Sequence, residues 1–270
     1  MTTLQKVIRY LAIAFAIFLA VSIIGGVLGA VGLFGGFFED NAVLEDAKTY
    51  AVSDDITQLD VEIAAADFSI KKTDSFSVES NLKNLKVEDK NGKLVIKETK
   101  KSFGTYTNAS LILYVPANTN FTKVEIETGA GRFTVEELFA EELQLELGAG
   151  EVIISSITAS EKAEIDGGAG KITIESGTLH NLDLDMGVGK LNLTALVTGN
   201  SSFDLGIGET NISLLGSKDY YTIKAEKGIG NITIDGKSVS NFEGLGDGEN
   251  RINVSGGIGS INLEFKEELE

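Results

Sequence analysis

The chain has 270 residues, including 31 Gly and one Pro but no Cys or Trp, and its formal charge is −17. That composition excludes a disulfide framework, thiol chemistry and any Cys-ligated metal. Without Lys6 and Arg9 the remainder carries 21 basic and 40 acidic groups, a net −19, so no basic footprint for nucleic acid exists.

Residues Tyr10 to Phe38 form a run of 29 without a charge, preceded by Lys6 and Arg9 and followed by Glu39 and Asp40. A helix crosses a bilayer with about 20 such residues. The flanking charges predict a single-pass anchor with residues 1–9 in the cytoplasm and the C-terminal domain extracellular, in the cell membrane. A cleaved signal peptide ending near Ala30-Val31-Gly32 is the competing reading. Residues 39–58 read as a linker, with a strand near Tyr50–Val52.

From residue 59 to the end one motif recurs. Gly-x-Gly centres on Ala130, Ala149, Ala169, Val188, Ile207, Ile229 and Ile258, at steps of 19, 20, 19, 19, 22 and 29 residues. A degenerate copy centres on Ala65 in Ala64-Ala65-Ala66. Before each centre apolar residues alternate with polar ones, as in Leu143, Leu145, Leu147 and then Ala149. That period of two marks a strand with one buried face. After each centre the next apolar residue comes three positions on, at Phe133, Val152, Ile172, Leu191, Ile232 and Ile261, with Thr210 the polar member of the series. One extra residue per copy keeps both strands facing one interior while the chain bends. The second glycines, Gly131, Gly150, Gly170, Gly189, Gly208, Gly230 and Gly259, fall at that slip and are assigned as structural corners.

The fold predicted is all-β: a β-solenoid of coils about 20 residues long, each with two strands and two turns, stacked so that equivalent residues align in columns. An antiparallel β-sandwich is the alternative, and it leaves the constant register of the slip unexplained. Two insertions break the period, at 71–125 and 236–250. The first contains a hairpin around Asn91-Gly92 and a strand from Leu111 to Pro116, and reads as an excursion between the first coil and the main stack.

The run Leu113-Tyr114-Val115-Pro116-Ala117-Asn118, leading into Val124-Glu125-Ile126-Glu127-Thr128-Gly129-Ala130-Gly131, resembles a bacterial family of unknown function labelled "putative adhesin". Its members include membrane proteins encoded beside envelope-stress regulators of the Lia type. The resemblance covers about residues 50–265 and implies a β-solenoid-like surface domain; no catalytic residue comes with it.

Chemistry-bearing motifs are sparse. Gly167-Gly168-Ala169-Gly170 begins like a calcium-binding β-roll repeat, but Ile172 stands where Asp is required. Gly236-Lys237-Ser238 resembles the end of a P-loop without its first glycine. His180 is the only histidine and lies in a predicted turn, too little for a triad or a two-His metal site. No cofactor, catalytic residue or metal ligand set is assigned.

One constellation stands out. Three residues before the centres stand Glu62, Glu127, Glu146, Asp166, Asp185, Asp204, Glu226 and Ser255. Strand alternation points them outward, and stacking in register makes them a carboxylate ladder. Two unit charges about 4.8 Å apart in water repel by roughly 0.9 kcal/mol. The functional reading of Glu127, Glu146, Asp166, Asp185, Asp204 and Glu226 is weak binding of divalent cations or of a cationic partner. The plainer reading is a solvated face that keeps sheets from sticking. Four residues after the centres a Thr/Asn ladder is expected, through Thr134, Thr173, Asn192, Asn211, Thr233 and Asn262.

Three classes of function follow: a non-catalytic, membrane-anchored surface protein with an adhesin-like binding ectodomain and an unidentified protein or envelope partner; an accessory of an envelope-stress system; and a polysaccharide-active β-helix enzyme. Small coils and short turns weigh against the third.

Overall fold

The computed structural model describes residues 44–99, 108–239 and 242–266. The described residues belong to one compact unit, Val43–Glu270. The apolar run 10–38 lies outside the described residues, and among these no helix is long and apolar enough to cross a membrane.

Among the described residues every regular element is a strand except one 3-10 turn at Lys218–Tyr220. In chain order they are β1 (Leu44–Ala51), β2 (Gln58–Thr73), β3 (Ser77–Leu82), β4 (Leu85–Lys90), β5 (Lys93–Glu98), β6 (Ser110–Pro116), β7 (Asn120–Val135), β8 (Leu138–Ile154) and β9 (Ile157–Ile174). There follow β10 (Gly177–His180), β11 (Leu182–Thr198), β12 (Asn200–Leu215), β13 (Tyr221–Glu226), β14 (Ile229–Ile234), β15 (Lys237–Val239), β16 (Phe242–Leu245) and β17 (Asn250–Lys266).

Successive repeats pair in parallel and in register, so Ala130 lies opposite Ala149, Ala149 opposite Ala169, Ala169 opposite Val188 and Val188 opposite Ile207. This is a β-solenoid, and the parallel pairing rules out the antiparallel sandwich. The interior is a set of apolar columns. Ile126, Leu145, Ile165, Leu184 and Phe203 fill one side, and Phe133, Val152, Ile172 and Leu191 face them across the corner. Each such side chain removed from water contributes about 1.5–3 kcal/mol. Phe68 and Phe133 extend their column as stacked rings, 4.8 Å between centroids. Where Gly167 interrupts the row between Leu147 and Met186, Met186 and Ile172 fill the space.

The coil has three sides, which corrects the two-strand reading. After the corner and its strand, a turn at Glu136-Glu137, Ser155-Ser156 or Glu175-Ser176 leads into a short third side. Leu138 to Ala140 pairs with Ile157 to Ala159, which pairs with Gly177 to Leu179. A separate turn, as at Thr198-Gly199-Asn200, returns the chain to the next coil. In these coils the third side buries at most two residues, Leu138 and Ala140 in one and Ile157 and Ala159 in the next, too few to display a period of two.

Both ends of the stack depart from chain order. β2 lies directly against β7, so the 71–125 segment does not separate the first coil from the stack. β5 and β6 instead extend the stack on the outer edge of β2, pairing in parallel with residues 58–62 and 67–73. The antiparallel strands β4, β3 and β1 close that end, with β1 running through the expected linker. At the other end β17 slots between β12 and the earlier pair β13/β14, while β16 and β15 close the edge antiparallel. Hairpin caps of this kind cover parallel edges that would otherwise offer free backbone groups to another chain.

Candidate functional site

The long corner carries the relief of the surface. Gly150 has φ +138, a backbone that L-residues avoid, and a β-carbon built on it meets the Gly131 carbonyl oxygen at 1.9 Å. Coils therefore approach backbone to backbone at the corner, and only glycine permits the approach. The β-carbon direction runs toward the preceding coil in the stack. On that side the backbone pairings of β2 stop at Glu62 and resume at Asp67, and between them the Ala64 amide donates to the Glu98 side chain at 3.1 Å, so no neighbouring backbone crowds residues 63–66. Ala64 and Ala66 are therefore tolerated in the first coil.

The central residues point outward, which corrects the sequence-based alternation that ran them into the buried series. The buried row ends two residues earlier, at Leu147, Met186 and Leu205, and resumes three residues later. Val188, Ile207 and Ile229 are 41%, 37% and 44% exposed. In stack order the row reads Ala65, Ala130, Ala149, Ala169, Val188, Ile207, Ile258, Ile229. It is an apolar ridge that grows from Ala to Ile along the stack, with bare glycine backbone on either side from Ala130 onward.

Two charged rows flank the ridge. On the post-corner side the charges neutralise one another between coils: Arg132 and Lys171 both pair with Glu151, at 3.1 and 3.3 Å, and Lys190 pairs with Glu209 at 2.8 Å. On the other side runs the acidic row, brought into one column: Glu62, Glu127, Glu146, Asp166, Asp185, Asp204, then Ser255, then Glu226. Ser255 separates Glu226 from the rest, a placement that follows from the insertion of β17.

The acidic row is compensated at its first end. Lys93 and Lys97 of β5 reach Asp60 at 2.9 and 3.2 Å, and Lys97 lies 3.9 Å from Glu62. Burial pushes the Asp60 carboxyl upward, but the two lysines outweigh it and hold it below the ordinary value. Farther along, Asp185 is pushed up by partial burial and then by Asp204, Asp183, Asp166 and Glu164. Asp166 is raised by burial, Glu164 and Asp183. The middle of the row is thus a patch of like charge.

The Thr/Asn ladder is present in segments. Ser69 bonds Thr134 at 2.8 Å, the Asn211 amide donates to Asn192 at 3.1 Å, and Thr233 donates to Asn262 at 2.8 Å. Ile153 interrupts it, and the hydroxyl of Thr173 on the next rung is buried without a hydrogen-bond partner. His180 is half-buried and shares a 2.9 Å hydrogen bond with Thr198. Gly236-Lys237-Ser238 lies at the β14–β15 hairpin and leads into a strand, not a helix. Among the described residues no group of three or more His, Cys, Asp or Glu is placed to hold a metal ion.

Sequence reasoning missed the ridge and the lysine closure. A residue between two glycines has no alternating neighbours from which its direction can be read. The signal available was its growth from Ala to Ile, which a packed corner would not tolerate.

The fold and surface define a capped, repetitive β-solenoid with one structured face. The chain belongs to the Toastrack DUF4097 family, whose sequence pattern matches residues 54–245. No curated protein matches the chain. Among solved structures it is similar to a "putative adhesin" from Bacteroides fragilis, with 13% identity, TM-score 0.41, and 80% of this chain and 95% of that one covered. It is also similar to one from Parabacteroides merdae, with 13% identity, TM-score 0.37, and coverage of 84% and 98%. A "putative cell adhesion protein" from Clostridium sporogenes shows 16% identity, TM-score 0.33, and coverage of 82% and 99%.

Proposed function

We propose that this protein is a non-catalytic surface binding module, adhesin-like in action, held to the cell membrane by residues 10–38 with the β-solenoid outside. The observation that carries the reading is the continuous face formed by the apolar ridge and the acidic row, aligned across the repeats. A face of that length suits an extended partner better than a small substrate, and its carboxylates favour a cationic one.

The test is crosslinking and capture from intact cells producing the full chain, alongside adhesion of the same cells. Capture of a surface-exposed partner, with loss of adhesion when the gene is deleted, supports the reading. If the deletion leaves adhesion intact but blunts the envelope-stress response, the stress-accessory role replaces it. A form lacking residues 1–38 that still supports the stress response excludes signalling through the anchor. Protease added to intact cells should cleave the solenoid; full protection would overturn the outward placement.

A further inference from the structure

The geometry points to the ridge Val188–Ile207–Ile258–Ile229 as the seat of an amphipathic α-helix from a partner protein, with basic residues along one flank of that helix. This rests on the binding-module reading and names the partner's chemistry.

Three observations converge. The ridge is apolar and in register over four coils, with Val188, Ile207 and Ile229 exposed and Ile258 half-buried between Ile207 and Ile229, and glycine backbone lies on both sides. Such a ridge fits between the side-chain rows of a helix, the inverse of a helix laid in a groove.

The spacing selects the partner's conformation. Coils repeat about every 4.8 Å. A helix running along the stack presents its apolar stripe about every 5.4 Å, a mismatch of about 0.6 Å per coil. An extended strand presents same-side residues about every 6.7 Å and loses register after one coil. Four rows span roughly 14 Å, which about ten helical residues cover.

The charges select the flank. On one side of the ridge Lys190 and Glu209 already satisfy each other at 2.8 Å. On the other, Asp185 stands in register between Asp166 and Asp204 of the two adjacent coils. A helix with lysines or arginines on that flank alone relieves the repulsion, whereas a second copy of this chain would bring another acidic row against it.

The test uses the full chain in neutral phosphatidylcholine nanodiscs and a fluorescent peptide of about 12 residues. The peptide carries Leu and Ile at helical i, i+3, i+4 and i+7 spacing and Lys on one flank; empty nanodiscs give the lipid background. Saturable anisotropy above that background is expected. It should weaken at least tenfold in the Ile207→Asn/Ile229→Asn pair, several-fold in Asp185→Asn/Asp204→Asn, and at least tenfold when Glu replaces the peptide's Lys. Val188→Ser serves as a milder ridge variant, and unchanged circular dichroism and melting establish that each variant is folded.

No saturable binding to the wild type, equal binding to the ridge variants, or equal binding of the Glu-flanked peptide overturns the proposal. So does a ridge substitution that abolishes vesicle co-sedimentation or self-association in the ultracentrifuge while leaving peptide binding unchanged, since the ridge would then serve lipid or a second copy. The broader reading fails separately. Cells with the ridge variant that adhere normally sink the helix seat alone. Cells whose adhesion survives gene deletion sink the adhesion reading, while the titration still decides the ridge.

Discussion

The carbonyl oxygen of Gly131 lies 1.9 Å from the place that a β-carbon on Gly150 would occupy. That overlap is with backbone on the neighbouring coil, which cannot turn aside without parting the two coils.

Gly150→Ala should therefore be among the most damaging single substitutions in the chain. The expected loss is about 3–5 kcal/mol, since positive φ and steric overlap act together. Gly236 also has positive φ, but a β-carbon there meets nothing within 4 Å. Gly236→Ala should cost only the left-handed strain, about 1 kcal/mol. Urea unfolding of the two variants measures the contrast, and similar midpoints would refute backbone contact at the corner.

β17 pairs with β12 on one edge and with β13 and β14 on the other. Deleting residues 250–270 should therefore uncouple the whole segment from Tyr221 to Leu245, and limited proteolysis should cut there while β7 to β11 stay protected. Were this strand an ordinary last coil, its loss would leave that segment intact.

Asp185 and Asp60 should respond oppositely to pH. The folded-state pKa of Asp185 is raised, so its protonation favours the fold. That contribution is present in acid and is lost as pH rises past the ordinary value of 3.8. Asp185→Asn should stabilise the protein at pH 7 by less than about 1 kcal/mol, because the carboxylate stands in water. The gain should vanish near pH 3. Asp60 has a lowered pKa, and its contribution is present above the unfolded value and lost as pH falls through the folded one. Asp60→Asn should destabilise at pH 7. Melting curves of both variants across pH give the signs.

Calcium should act on the acidic row by screening and not by a built site. Millimolar CaCl₂ should raise the melting temperature slightly, and NaCl of equal ionic strength should do much the same. A larger rise with calcium alone, removed by Asp204→Asn, would reveal specific coordination.

The repeat, its parallel register and the acidic column are legible in the sequence because each rests on local alternation repeated many times. The Asn91-Gly92 hairpin is legible because two residues with positive φ close it, at 54° and 73°. The order of coils at the ends is not, since Val254 fits as well beyond Ala225, where chain order would put it, as between Phe203 and Ala225, where it stands. The outward turn of Ile207 is hidden by Gly206 and Gly208, which interrupt the pattern that would show it. Lys93 and Lys97 stand beside Asp60 only through the pairing of β5 with β2, a long-range contact that no local pattern announces.

Neither terminal strand of the long stack is an outermost coil: β2 sits inside β5/β6, and β17 sits inside β13/β14. A coil copied next to β2 or β17 in the sequence would find no open edge beside that strand on which to add a rung. Lengthening must instead happen between β7 and β12, by copying an interior coil whose two faces already match its neighbours. Longer and shorter relatives built on this plan would share their ends and differ in the number of middle rungs, and with it in the reach of the ridge.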